Sequence, residues 1–304
     1  MKISVKIAGL DWKAPVAVAA GIVNSGKEYG IYTDLNVIGA LTTKGVSPVE
    51  WLGDPVPRMT EAYGGMVSSV GVHNLGVEGF IKNDSAYLQK LDTNIIVNVV
   101  GHEIKDYVKV AEALSSQDSI DMLELSLVPL NPRPDGFYPD FGKSTKITEK
   151  LIKEVRKVTD KPIIVKLSPN NISNVTEISR AAEFSGVDAL SMINVVQGTR
   201  IEVFKRKPGV GNKIGGLSGP AIRPIGVGCV YQCSKAVKIP IIGIGGITTS
   251  EDALEYIMAG ATAVAVGTAH FTRPRVTMEI IEGLKQFMKD NKVDDINELV
   301  GVSE

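Results

Sequence analysis

Two glycine loops and four polar side chains carry the chemistry that can be read directly from this chain. Ile242-Gly-Ile-Gly-Gly-Ile247 and Val264-Ala-Val-Gly-Thr-Ala269 each bring an apolar run to an end in glycine. Backbone N–H groups can close on an anion only where side chains are absent, so a pair of such loops suits a phosphate. Tight strand-to-helix turns are the plainer reading of either loop alone. Lys44 and Lys166 end two further apolar runs, and Asn98 and Asn194 end two more. An unpaired ammonium in a dry site is costly, so a buried run rarely finishes in Lys without a partner. Each of the four suits a solvated rim when taken singly; four converging on one mouth favour a ligand. Lysines facing a phosphate-bearing cofactor could stabilise negative charge on a reduced ring, and that chemistry suits a flavin.

The elements that must position these residues are strand-like runs at 15–20, 37–43, 94–99, 122–127, 162–167, 189–194, 240–243 and 263–267. Between them lie stretches with apolar residues recurring at three and four, notably 144–159, 175–185, 250–259 and 275–289, which read as amphipathic helices. Runs apolar on both faces and alternating with helices predict a parallel sheet. Eight such units predict a closed (β/α)8 TIM barrel, in which the loops after the seventh and eighth strands commonly hold a phosphate. An open doubly wound sheet is the runner-up, but it would place its glycine fingerprint after the first strand. The segment 3–12 reads as an N-terminal β-hairpin plugging the barrel bottom. With no linker, repeat or low-complexity stretch, one domain over 1–304 is expected.

Composition narrows the function classes. At 304 residues, 44% hydrophobic, 22% charged and with a net charge of −1, the chain can bury a large core and has no basic footprint for nucleic acid. No apolar run is long enough for a membrane span, and Met1-Lys-Ile-Ser-Val-Lys does not read as a signal peptide. A cytoplasmic protein is the expectation. Cys229 and Cys233, four apart in a helical stretch without His or Cys neighbours, read as core residues and not as a metal site.

A set of motifs resembles a known family. Val18-Ala-Ala-Gly21, Thr43-Lys-Gly-Val46, Val70-Gly-Val-His-Asn-Leu-Gly76, Ile96-Val-Asn-Val-Val-Gly101, Val165-Lys-Leu-Ser-Pro-Asn170, Met192-Ile-Asn194 and Gly215-Gly-Leu-Ser-Gly-Pro-Ala221, with the two glycine loops, resemble class 1 dihydroorotate dehydrogenase, most nearly its 1B branch. The resemblance implies a barrel that binds FMN at its C-terminal mouth. The FMN contacts it implies are Ala20, Gly21, Lys44, Gly45, Asn98, Ser126, Lys166, Ile193, Gly219, Gly245, Gly246, Gly267 and Thr268. On the substrate side it implies Lys44, Ser68, Ser69, Val70, Gly71, Val72, Asn131, Asn194 and Val195.

The substrate side departs from the family pattern. The family's base loop reads Asn-x-Ser-Cys-Pro-Asn, and its Cys abstracts a proton while hydride passes to flavin N5. Here the first Asn is Ser126, the Ser is Val128 and the Cys is Pro129, with Asn131 retained. Proline cannot move a proton. The pocket segment Asn-Ala-Ile-Gly-Leu-Gln-Asn reads Ser68-Ser-Val-Gly-Val-His-Asn74, and the Thr or Ser after Asn194 is Val195. Each polar group of a pyrimidine left unpaired costs about 1–3 kcal/mol. Replacement acids and bases are available in Arg133, Asp135, Tyr138 and Asp140 of the following loop, and in His73 and His102 after barrel strands. A proline-rich lid carrying solvated charges is the plainer reading of that loop. Lys44, Tyr138, His73 and Asn131 are the catalytic candidates.

These residues predict an FMN-dependent oxidoreductase moving hydride between flavin N5 and a small ring-shaped or unsaturated substrate other than dihydroorotate. A working dihydroorotate dehydrogenase of pyrimidine metabolism with a non-Cys base is the alternative. A non-catalytic flavin-binding or electron-transfer subunit is an alternative of another class, opposed by the intact Lys44, Asn98 and Lys166. The expected assembly is a homodimer, to which the 1B resemblance adds an iron–sulfur and FAD-bearing electron-transfer subunit.

Overall fold

Short runs of β-branched and small apolar residues have nowhere to put an exposed face, so they pair side by side and close on themselves. In the computed structural model, which describes residues 1–127 and 140–303, they do so as β1 (Val16–Val18), β2 (Ala40–Thr42), β3 (Asn94–Val99), β4 (Met122–Ser126), β5 (Ile163–Leu167), β6 (Ala189–Met192), β7 (Ile241–Ile244) and β8 (Ala263–Val266). These eight strands form a closed barrel in chain order. Parallel pairing of Val264 with Val16 and of Val266 with Val18 shuts the ring. The (β/α)8 reading holds, and each expected run contains its strand or overlaps it.

Helices pack outside the ring: α1 (Gly76–Leu88), α2 (Ile104–Ser115), α3 (Thr145–Arg156), α4 (Val175–Phe184), α5 (Arg223–Ser234), α6 (Ser250–Met258) and α7 (Val276–Asp290). In α3 the buried residues are Thr148, Leu151, Ile152 and Val155, the three-and-four spacing that turns one stripe to the barrel. Thr249 and Asp252 form a capping box that starts α6 beside the first glycine loop. Cys229 and Cys233 are buried as free thiols in α5, where burial pushes the Cys229 thiol up to about 12.

The hairpin Val5–Ile7 and Leu10–Trp12 sits at the N-terminal end of the barrel. Its fully buried Trp12 lies so close to Gly39, just before β2, that a Cβ there would come 2.8 Å from the indole. At the opposite end lies an element the sequence reading did not contain. Val196–Gly198, Gly215–Ser218, Gly65–Ser68 and Met59–Ala62 form a four-stranded antiparallel sheet. It is built from the loops that follow β2 and β6. Its glycines are there for close approach: a Cβ on Gly65 would stand 1.9 Å from the Ser218 carbonyl oxygen.

Candidate active site

The C-terminal ends of the strands and the antiparallel sheet enclose a cavity of about 480 Å³, within the usual range for small-molecule sites. Each strand contributes at its end. Lys44 and Gly45 follow β2, Asn98 lies in β3, Ser126 ends β4, Lys166 lies in β5, and Ile193, Asn194 and Val195 follow β6. Gly245 and Gly246 follow β7, Gly267 and Thr268 follow β8, and the sheet adds Ser68 and its neighbours through Val72. Every described residue expected at the FMN or substrate positions lines this one cavity, including Ala20, Gly21 and Gly219.

The barrel interior beneath the cavity is polar. Asn98, Glu124, Lys166 and Ser191, from four consecutive strands, are 5%, 2%, 7% and 0% exposed. The Asn98 amide donates to Glu124 Oε1 at 2.7 Å, the Ser191 hydroxyl donates to Oε2 at 2.6 Å, and Lys166 Nζ stands 3.8 Å from Oε1. At the rim, burial and then the nearby Arg58 guanidinium hold the Lys44 amine below the usual lysine range. Arg58 is itself fixed by the Asp54 and Leu52 carbonyls, and the Asp54 carboxylate accepts a hydrogen bond from Ser69.

The glycine side of the cavity is a cradle. A side chain at Gly21 would meet nothing within 4 Å, and one at Gly267 would first meet Ala19 Cβ at 3.8 Å, so both leave space open that a Cβ would take. Gly245 and Gly246 hold φ of +122° and +71°, left-handed values that favour glycine. The buried Tyr256 hydroxyl reaches the carbonyl oxygens of Gly245 at 2.8 Å and Ile244 at 3.1 Å, pinning the loop from below. His270 does the same for the second loop through Nδ1, 3.0 Å from the Gly267 carbonyl oxygen.

His270 gives this loop a pH dependence. Burial pushes its imidazole down to about 4 from the usual 6.5, against the opposing pull of the Gly267 and Val266 carbonyls. The folded state then resists a proton that the unfolded chain accepts below about 6.5, so stability falls as pH drops from 6.5 towards 4. The loss should reach at most about 3 kcal/mol. Denaturant titrations between these pH values should show a steeper acid loss for the native protein than for His270→Gln.

Not every candidate gathers at the mouth. His73 is exposed and outside the cavity lining. His102 stacks on Trp51 with ring centroids 4.3 Å apart and does not line the cavity. Asp140 is half-buried, with Oδ1 accepting from the Gly142 N–H at 3.1 Å. Val128, Pro129, Asn131, Arg133, Asp135 and Tyr138 lie outside the described residues. Conversely, Asp54, Met59, Met66, Gln197 and Phe271 line the cavity and were not expected. Asp54 was hidden by its setting in Gly-Asp-Pro-Val-Pro, which reads as a turn. Glu124 had a usable signal, a charge in the middle of the apolar run Met-Leu-Glu-Leu.

An apolar slot with a glycine cradle and two lysines fits a flavin mononucleotide, whose phosphate needs bare backbone and whose ring gains from nearby positive charge. The family profile described as dihydroorotate dehydrogenase matches residues 2–288. The protein named dihydroorotate dehydrogenase B (NAD(+)), catalytic subunit, of Lachnoclostridium phytofermentans is 49% identical over 301 residues, 99% of either chain. Its namesake in Alkaliphilus oremlandii is 48% identical over 98% of this chain and 97% of its own. Among solved structures, that of DHODH in complex with ferulenol from Eimeria tenella matches with a TM-score of 0.81 over 99% of this chain and 88% of that one, at 20% identity, a likeness of fold. Identity of this extent, carried by a barrel whose mouth accommodates the flavin, makes the chain a member of the dihydroorotate dehydrogenase family and an FMN-dependent oxidoreductase acting on CH–CH bonds.

Proposed function

We propose that the chain oxidises dihydroorotate to orotate and delivers the electrons to a separate electron-transfer subunit. What carries this reading is the similarity, at 42–49% identity and over nearly the full length, to proteins named as catalytic subunits of dihydroorotate dehydrogenase B (NAD(+)). It favours the alternative of the sequence analysis over a different substrate. Bound FMN supplies a two-electron acceptor that takes hydride at N5.

The protein's own residues provide the rest. Gly245, Gly246, Gly267 and Thr268 hold the phosphate end by backbone approach. Lys166 and Asn98 face the ring from the barrel interior, and Lys166 offsets the negative charge that arrives with the electrons. Lys44, Asn194 and the segment Ser68, Ser69, Val70, Gly71 and Val72 orient the substrate. The antiparallel sheet beside them limits access of water. The proton leaving the substrate carbon needs an acceptor other than a thiol, since Pro129 stands at the family's Cys position. Tyr138, seven residues after Asn131 in the sequence, is the first candidate, ahead of His73, which is exposed and off the cavity.

The test is anaerobic mixing of FMN-loaded protein with dihydroorotate. The flavin absorption is expected to bleach with formation of one orotate per flavin, slowly for lack of a positioned thiolate, a base being worth about 10²- to 10⁴-fold in rate. A second reading, another ring-shaped or unsaturated substrate, is favoured by Ser68, Ser126, Pro129 and Val195 at positions where the family has polar or acid–base groups. Flavin that dithionite bleaches and dihydroorotate leaves oxidised would select that reading.

A further inference from the structure

We propose that Glu124 is a positioning residue for the flavin: its buried carboxylate fixes the ammonium of Lys166 and the amide of Asn98 where they meet the cofactor ring. The inference rests on FMN occupying the cavity described above. Glu124 does not line that cavity, whereas Lys166 and Asn98 do. It lies one strand from each of them in the ring and is joined to both, through the 2.7 Å hydrogen bond from Asn98 and the 3.8 Å ion pair with Lys166.

A carboxylate can only accept hydrogen bonds, so it settles which way the Asn98 amide is turned. The NH₂ group must face Glu124, and Oδ1 is left towards Gly45, where a Cβ would stand 3.1 Å from it. The cavity is thereby given a hydrogen-bond acceptor at Asn98, matched to a ring N–H. The Lys166 ammonium, at an ion-pair distance too long for a hydrogen bond, keeps its donors for the cavity while its charge is balanced from behind. Ser191, 2.6 Å from Oε2 and wholly buried, holds the carboxylate from β6, beyond the Lys166 strand. Both oxygens are thus occupied, and the carboxylate has one orientation available to it.

Glu124→Gln keeps the shape and removes both the charge and the acceptor-only character. Lys166 is then buried without a counter-charge and is no longer held in place against the cavity, and Asn98 is free to flip. Lys166 lines the cavity and Glu124 does not, so displacing the positive charge outweighs removing the negative one. The midpoint potential of FMN in the reconstituted variant is expected to fall by at least about 30 mV, tenfold in the two-electron equilibrium. In a Lys166→Met background the same change should cause no further fall. A Glu124→Gln protein with full FMN content and an unchanged or raised potential overturns the proposal, as does a fall of equal size in both backgrounds. If Glu124→Gln does not fold, Ser191→Ala, which keeps the charge and frees Oε2, must lower the potential in the same direction, and an unchanged value there is equally decisive against it. Failure of the native protein to take up FMN would instead overturn the cofactor reading.

Discussion

Lys166→Met is expected to take up FMN and to be reduced by its substrate about 10²- to 10³-fold more slowly than the native protein, the loss typical of one donor facing developing charge. Lys166 is 7% exposed in β5 and lines the cavity, so its charge acts through little water. The midpoint potential should fall with the rate, because the electrons arrive in a site stripped of its nearest interior cation. A cost in stability should accompany this: Glu124, 2% exposed, loses its counter-ion at 3.8 Å. Breaking a buried pair from one side typically costs about 3–5 kcal/mol. Stopped-flow reduction, potentiometry and thermal unfolding of the same preparation separate the two effects. Unchanged potential in a fully loaded variant would remove Lys166 from the ring's surroundings.

Gly246→Ala should cripple cofactor binding altogether. Its φ of +71° already disfavours any side chain. The added Cβ would stand 2.7 Å from Arg223 Cβ and 2.9 Å from both the Arg223 nitrogen and the Gly219 carbonyl oxygen. Two of these contacts are backbone, which has no rotamer to escape into. Arg223 is tied by ion pairs to Asp252 and Glu255, and Asp252 accepts from the N–H groups of Thr248 and Thr249. A shift forced on Arg223 therefore reaches the cap of α6 and the loop after β7 together. FMN affinity should fall at least about 100-fold, from loss of the cradle and about 1–3 kcal/mol of backbone strain. Fluorescence titration of the apoprotein with FMN measures it, and native affinity in this variant would take the phosphate away from this loop.

The barrel was legible because its signal is local and repeated. Each strand is a short run apolar on both faces, and α3, α4, α6 and α7 bury one stripe each. By contrast, α5 has Pro224 as its second residue and contains Gly226 and Gly228, poor helix formers that blur any period. Gly226 is needed there, since a Cβ would stand 1.9 Å from the Tyr256 hydroxyl that pins the glycine loop. The sheet at the mouth escaped for a related reason. Gly64-Gly65 and Gly215-Gly216 read as turns, and their pairing is with residues far off in sequence, where no periodicity reaches. In the site, Lys44, Asn98, Lys166 and Asn194 were legible as polar residues ending apolar runs, most other expected positions rested on the family resemblance, and Asp54, Met59, Met66, Gln197 and Phe271 gave no sign in the sequence of lining the cavity. The charge of Glu124 inside an apolar run marks it as unusual, but its role is not legible in the sequence, because its partners lie on neighbouring strands and only the closed ring brings them to it.

The antiparallel sheet also has a meaning for how the molecule comes together. Its two halves leave the ring after β2 and β6, strands that stand opposite one another in the barrel order, and Gly65–Ser68 meets Gly215–Ser218 across the opening. It is a chord drawn across a circle. The chain entropy of so long a loop must be overcome before the pairing gives anything back. The chord therefore belongs to the long-range, slow part of folding, together with the pairing of Val16 and Val264 that shuts the ring, and a change that loosens either of its glycine-bearing strands should loosen both sides of the mouth at once.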